Sequence, residues 1–210
     1  MKKAIFFDVD DTLCATSKVH DEAFRATFRH FDLQDKSFNY SDVSGLKTED
    51  VFRRLFDSEE DVISASAMKR LNYQKRASEI SVMPGAYEVL DFLSNKLVTL
   101  IAVSSGSKSS VQTTLETVKI KHFFSSVITC EMTSNSKPFP DPYRLALLKS
   151  GFREKDCLVV EDSEIGLQSG LSAGIETVLV SEKENTWKSK YSVLQLSSLF
   201  ELKQFIELEV

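Results

Sequence analysis

Residues 4–13 read Ala-Ile-Phe-Phe-Asp-Val-Asp-Asp-Thr-Leu, an apolar run that stops in three carboxylates and a threonine. Like charges gathered at a strand end are costly unless a cation or directed hydrogen bonds compensate them. Asp8 and Asp10 lie two residues apart, so an extended chain projects both from one face. Open α/β folds place their ligands at the carboxyl edge of a parallel sheet, where a carboxylate pair suits a divalent cation. An Asp-rich turn closing a strand explains the same residues without any chemistry, so the remainder of the chain has to decide.

Apolar, β-rich runs recur at 98–103, 158–160 and 176–180, with a weaker one at 126–129. Helical patterns fill the intervals at 86–93, 109–118, 142–148, 165–173 and 199–207. Strands alternating with helices of this length predict βαβ units and a doubly wound parallel sheet. The segment after the first strand departs from that alternation. It carries no strand pattern and reads as amphipathic helices at 20–31, 48–56 and 59–79, closed by Met83-Pro84-Gly85. A βα loop is normally a few residues long, so this stretch is expected to be a helical domain over the ligand crevice, where a lid sits. The expected division is an α/β core of residues 1–14 and 83–210 with a helical cap of residues 15–82.

The 210 residues suffice for a core of this kind plus an insertion, and 42% hydrophobic with 27% charged residues is ordinary for a globular protein. Fifteen phenylalanines and one tryptophan supply bulk for the interior. A net charge of −5 without a basic tract argues against nucleic acid or an anionic membrane as partner. An anionic substrate must then be drawn by local cations or a metal. Cys14, Cys130 and Cys157 lack zinc-ligand spacing, and Cys157 reads as a small core residue. With no signal peptide or membrane-length apolar stretch, a cytoplasmic, monomeric protein is expected.

Four clusters at or beside strand ends carry chemical potential: Asp8, Asp10 and Thr12; Ser105; Lys137 before Pro138; and Glu161-Asp162. Each has an ordinary explanation alone, as a polar loop, a surface lysine or a capped helix start at Asp162 or Ser163. Together they are what phosphoryl transfer requires. Carboxylates hold a divalent ion, the ion and a lysine neutralise phosphoryl oxygens, and a hydroxyl orients the group. One carboxylate then remains to attack phosphorus while its neighbour handles the proton.

In these motifs the chain resembles the haloacid dehalogenase superfamily, in the branch with a helical cap after the first strand that holds phosphoglycolate phosphatase-like and β-phosphoglucomutase-like enzymes. The resemblance covers essentially the whole chain, from Asp8-Val-Asp through Ser105 and Lys137-Pro-Phe-Pro-Asp to Glu161-Asp-Ser. It implies Asp8 as the nucleophile that forms an aspartyl-phosphate, and Asp10 as general acid and then base. It implies Mg²⁺ held by Asp8, the Asp10 carbonyl and Asp162, with Glu161 a ligand directly or through water. Ser105 and Lys137 would bind phosphoryl oxygens. Asp11 stands where glycine is commonest in the family, and is expected to add negative charge near the entrance. Asp10, to donate a proton near neutral pH, is expected to have a raised pKa.

The same resemblance places His20 where family members couple cap closure to the general acid. It puts 45–48 in the cap's specificity loop, with Thr48 where the mutases carry an arginine. Lys47 and Lys69 on the cap, with Gly106 and Lys108 beside Ser105, are further candidate substrate contacts; Arg53 and Arg54 read as a solvated helix face. Without that arginine's fork of donors, a phosphatase of a small phosphorylated metabolite is favoured over a phosphosugar mutase. A phospho-receiver domain shares the acidic cluster, hydroxyl and lysine, but needs about half this length and no insertion after its first strand. A binding protein that has lost catalysis is the other alternative, though every catalytic position is chemically intact.

Overall fold

Ala4–Phe7 forms strand β1, and all four residues are buried. A strand that is apolar on both faces belongs in a parallel sheet covered above and below. In the computed structural model, which describes residues 2–33, 38–182 and 190–208 (Leu208 by its backbone only), β1 occupies the middle of such a sheet. Trp187, the one tryptophan, and the terminal residues Met1, Glu209 and Val210 of the expected core lie outside the described residues.

Parallel ladders join β1 to Thr99–Val103 (β4) on one side and to Cys157–Glu161 (β6) on the other. Ser126–Ile128 (β5) lies beyond β4, and Glu176–Val180 (β7) and Gln195–Leu196 (β8) lie beyond β6. The order is β5-β4-β1-β6-β7-β8. Alternate residues face opposite layers. Ile5 and Phe7 pack with Leu100, Leu158 and residues of Ala86–Asn95 (α4), Lys108–Thr117 (α5) and Leu199–Leu208 (α8). Ala4 and Phe6 pack on the other face with Val159 and with Tyr143 and Ala146 of Asp141–Ser150 (α6). Glu164–Ser172 (α7) follows β6. The doubly wound α/β architecture expected from the alternating pattern is the one observed.

The helical insertion opens at Cys14–Ala15 (β2) and returns at Ser81–Val82 (β3), which pair antiparallel. Between them lie Ser17–His30 (α1), Thr48–Phe52 (α2) and Glu59–Lys75 (α3). Phe24, Phe28, Val51, Phe52, Val62 and Ala65 give the insertion its own core. Its base is shared: Val19, Ala23 and Tyr73 belong to the apolar cluster of the sheet, and the hydroxyls of Tyr73 and Thr114 lie 2.7 Å apart across the seam. The helix expected at 48–56 ends at Phe52, where turn bonds from Arg54 and Leu55 take over, and the one expected at 59–79 breaks after Lys75 into a 3₁₀ turn at Ala77–Glu79. β1 stops at Phe7, because the chain then bends so that Leu13 and Cys14 both donate to Val9 O at 3.0 Å.

Candidate active site

The direction of strand addition reverses at β1, so the crevice for a ligand opens above its carboxyl end. Asp8 leaves β1 there, its amide still donating to Val160 O at 3.0 Å. Ser104 and Ser105 leave β4, the Glu161-Asp162 pair ends β6, and Lys137 reaches in from the loop between β5 and α6.

Lys137 is the hub. Its buried ammonium donates to Asp8 Oδ1 at 2.6 Å, to Glu161 Oε1 at 2.6 Å and to the Val103 carbonyl at 2.9 Å, which uses all three of its protons. Burial works against that charge, but Asp8 and Glu161 hold it and push the Lys137 pKa up. Glu161 has no exposed surface, and Tyr143 donates to the same Oε1 at 2.5 Å while Ser163 donates to Oε2 at 3.2 Å. The Glu161 carboxylate lies directly over Gly166. Ser163 also caps α7 by accepting from Gly166 N at 3.1 Å, as its place after the acidic pair leads one to expect.

Asp8, Glu161 and Asp162 offer carboxylate oxygens within 4.8 Å of one another, with Thr12 Oγ1 donating to Asp162 Oδ1 at 3.2 Å. Burial, with Glu161 and Asp10 adding to it against Lys137, raises the Asp8 carboxyl from its usual range to about 8. Burial followed by Asp8 and Glu161 pushes Asp162 up as well. Asp8 Oδ2 is buried with no hydrogen-bond partner among the described residues. Three crowded carboxylates, one lysine and a bare acceptor oxygen fit a hard divalent cation, which takes oxygen ligands and relieves that repulsion.

Asp10 points to the other side of the crevice. It accepts from Thr16 Oγ1 at 2.9 Å, from Ser104 Oγ at 3.0 Å and from His20 Nε2 at 3.2 Å. Burial pushes its pKa up, but the His20 bond and charge, with Thr16 and Ser104, outweigh burial and hold it well below the usual carboxylate range. The expected raised pKa is therefore not found, because three donors converge on this carboxylate. His20 Nδ1 lies 2.7 Å from the Lys69 ammonium, which can only donate. Nε2 therefore carries the ring proton toward Asp10. Burial and the Lys69 charge lower the His20 pKa, and burial lowers Lys69 to about 8.

A partly open cavity of about 50 Å³ sits between these groups, with Asp8, Asp10, Ser105, Gly106, Lys137 and Asp162 on the core side and His20, Tyr40, Thr48 and Lys69 on the insertion side. In this arrangement it has room for a few water-sized groups. Ser105 Oγ is buried and has no partner among the described residues, as a hydroxyl kept for a ligand would be. Lys47 and Lys108 do not line this cavity. Lys47 stands at the N-cap position of α2 without a side-chain capping bond, and the Lys108 side chain is exposed while its amide donates to the Glu131 carboxylate at 2.9 and 3.0 Å. Asp11 does not line it either: its carboxylate bonds the start of α1, while its negative charge still raises the pKa of the cavity residues Asp162 and Tyr40, after burial and nearer charges. Ser104, Thr16 and Tyr143 are site residues that the sequence reading missed. Ser104 was open to detection as the strand-end neighbour of Ser105, whereas Thr16 and Tyr143 read as a helix start and a core aromatic.

Among the described residues, no helix is long and apolar enough to cross a membrane. Curated relatives include the pyrophosphatase PpaX of Oceanobacillus iheyensis, 27% identical over 85% of this chain and 83% of its own length. Another is the fructose-1-phosphate phosphatase YqaB of Escherichia coli, 24% identical over 83% of this chain and 94% of its own. Among solved structures, CbbY of Rhodobacter sphaeroides in complex with phosphate superposes with a TM-score of 0.86 at 22% identity, covering 96% of both chains. The β-phosphoglucomutase of Clostridium difficile gives 0.86 at 20% identity, covering 99% of this chain and 96% of its own. These likenesses show the same fold. A profile of haloacid dehalogenase-like hydrolases matches residues 5–180, and with the strand-end acids, lysine and serine gathered as described, the chain belongs to that family of hydrolases.

Proposed function

We propose that the protein is a Mg²⁺-dependent phosphatase that hydrolyses a small phosphomonoester, a phosphosugar or a phosphoglycolate-like acid, through an aspartyl-phosphate on Asp8. The observation that carries this reading is the pairing of Asp8 Oδ1 with Lys137 at 2.6 Å while Oδ2 stays buried and free. The insertion, residues 15–82, acts as the cap over a core of residues 1–14 and 83–210. The relatives that act on phosphorylated compounds support the reaction class. Three free cysteines, two of them buried, suit a reducing cytosol.

Asp8 Oδ2 attacks phosphorus, the bond from phosphorus to the leaving alcohol oxygen breaks, and that oxygen takes the Asp10 proton. Asp10, now a carboxylate, takes a proton from water as the water oxygen attacks phosphorus. The Asp8–phosphorus bond breaks, phosphate leaves, and both residues return to their starting states. Ser105 holds a phosphoryl oxygen, and Lys137 does so by releasing one of its three acceptors, Asp8 Oδ1 being the one that loses its charge when Asp8 is phosphorylated. Asp8, Asp162 and the Asp10 carbonyl would hold Mg²⁺, with Glu161 directly or through water, and the ion supplies charge neutralisation at the phosphoryl group. The hydrogen bonds around Asp10 keep it ionised, the form that receives a proton from water, though they also weaken it as a base. An entering phosphoryl dianion adds negative charge beside it and raises its pKa toward that of an acid.

Thr48, which lines the cavity, brings no second phosphate clamp, and this favours water over a sugar hydroxyl as the acceptor. Turnover of p-nitrophenyl phosphate with Mg²⁺ by the wild type, and none by Asp8→Asn, is the expected result. Interconversion of hexose 1- and 6-phosphates faster than phosphate release would overturn hydrolysis in favour of a mutase. A chain inert toward both would overturn catalysis.

A further inference from the structure

The residue that departs from the family's commonest pattern has work of its own. Asp11 has φ +62°, in the left-handed region where glycine is at ease and aspartate is tolerated. From that position its carboxylate reaches over β2, the outgoing strand of the stem. Oδ1 accepts from the amides of Thr16 and Ser17 at 3.0 Å each, and Oδ2 accepts from the Ser17 hydroxyl. The first amides of a helix have no intrahelical acceptor, and negative charge is favoured at that end. Thr16, in the cap position of α1, provides no side-chain bond to those amides, and the first turn of α1 contains no acidic residue. Asp11 supplies both from outside the helix.

The Thr16 side chain is engaged elsewhere, donating to Asp10 Oδ1 at 2.9 Å, and His20, one turn along α1, meets the same oxygen at 3.2 Å. Two of the three donors that orient Asp10 thus stand on the helix end that Asp11 grips, the third being Ser104 at the end of β4. We propose that Asp11 is a positioning residue that clasps the first insertion helix to the nucleophile loop, and so sets the placement of Asp10 through Thr16 and His20. The clasp spans Cys14–Ala15, so it also stiffens one of the two connections about which the insertion would swing. Its catalytic consequence rests on the phosphatase reading above; the clasp itself does not.

The test compares full-length wild type with Asp11→Gly and Asp11→Asn, using p-nitrophenyl phosphate and Mg²⁺, with amide hydrogen exchange as a readout independent of activity. Glycine suits φ +62° at least as well as aspartate, so a purely conformational role predicts that Asp11→Gly matches the wild type. A clasp predicts instead that Asp11→Gly lowers kcat about tenfold with KM and the Mg²⁺ activation constant within about twofold. The amides of residues 16 and 17 should exchange at least about tenfold faster in this variant. Asn tolerates the same backbone and keeps one acceptor oxygen, so Asp11→Asn should recover most of both losses. Wild-type kcat in Asp11→Gly overturns the positioning role, and so does a kcat loss in Asp11→Asn equal to that of glycine. Unchanged exchange at 16 and 17 overturns the clasp. A wild type that releases no nitrophenolate refutes the phosphatase reading separately, and the exchange rates then judge the clasp alone.

Discussion

Gly166 is the most exacting place to test how the lysine is held. A Cβ built there lies 1.9 Å from Glu161 Cδ and 2.0 and 2.1 Å from its two carboxylate oxygens, so Gly166→Ala must expel the carboxylate from its seat. On helix propensity alone, replacing a glycine in α7 by alanine stabilises by up to about 1 kcal/mol. Against that stands the loss of a buried ion pair with Lys137 and the Tyr143 bond to the same oxygen. Removing one member of a buried pair costs about 3–5 kcal/mol, because the other is left uncompensated. The balance is a destabilisation of about 2–4 kcal/mol, read as a lower urea midpoint at unchanged slope. Turnover of p-nitrophenyl phosphate should fall by at least about tenfold, since Lys137 loses one of the two carboxylates that fix it. A Gly166→Ala protein as stable as the wild type, or more so, would refute the claim that this carboxylate is locked in place.

Other outcomes follow from the same geometry. Asp8→Asn should abolish phosphate release while keeping the circular dichroism of the wild type, since the amide fills the same space beside Lys137. Chelation should stop turnover, and millimolar Mg²⁺ should both restore it and raise the thermal midpoint, because a cation relieves the crowding of Asp8, Glu161 and Asp162. A thermal scan with and without Mg²⁺ checks the second part, and an unmoved midpoint would count against the metal seat. Lys69 falls from 10.5 to about 8 on folding through burial, so between those values the unfolded chain binds more protons and stability rises with pH. Urea titrations from pH 7 to pH 10 should show this Lys69-linked rise, up to about 1.4 kcal/mol per pH unit, in the wild type and not in Lys69→Met.

The acids and the lysine were legible because charge is conspicuous at the end of an apolar run. Asp8 after Phe7 and Asp162 after a buried strand stand out in any hydropathy reading, and their convergence follows once the sheet is parallel. What escaped the reading depends on distance along the chain. The Asp10 pKa is lowered chiefly by His20, then by Thr16 and by Ser104, which is 94 residues away, and a linear reading shows none of these as aimed at one carboxylate, so the raised pKa expected from neighbouring carboxylates was the wrong balance. Tyr143 looks like any core aromatic until its hydroxyl is seen on Glu161. Cys14–Ala15, Ser81–Val82 and Gln195–Leu196 are two residues each, too short to show a period. Lys47 and Lys108 stand outside the cavity lining for the opposite reason: a basic residue near a motif says nothing about where its side chain goes.

The shared footing of the insertion bears on how such chains can be recombined. Val19, Ala23 and Tyr73 lie within the apolar cluster of the sheet, and Tyr73 meets Thr114 of α5. Excising residues 16–80 would remove Val19, Ala23, Tyr73 and Ile80 from the apolar cluster of the sheet, so the remainder would present a greasy wound rather than a finished surface. A chimera that imports a relative's helical segment must therefore carry its own footing residues in place of Val19, Ala23, Tyr73 and Ile80, or retain these four, whatever it changes at the tip.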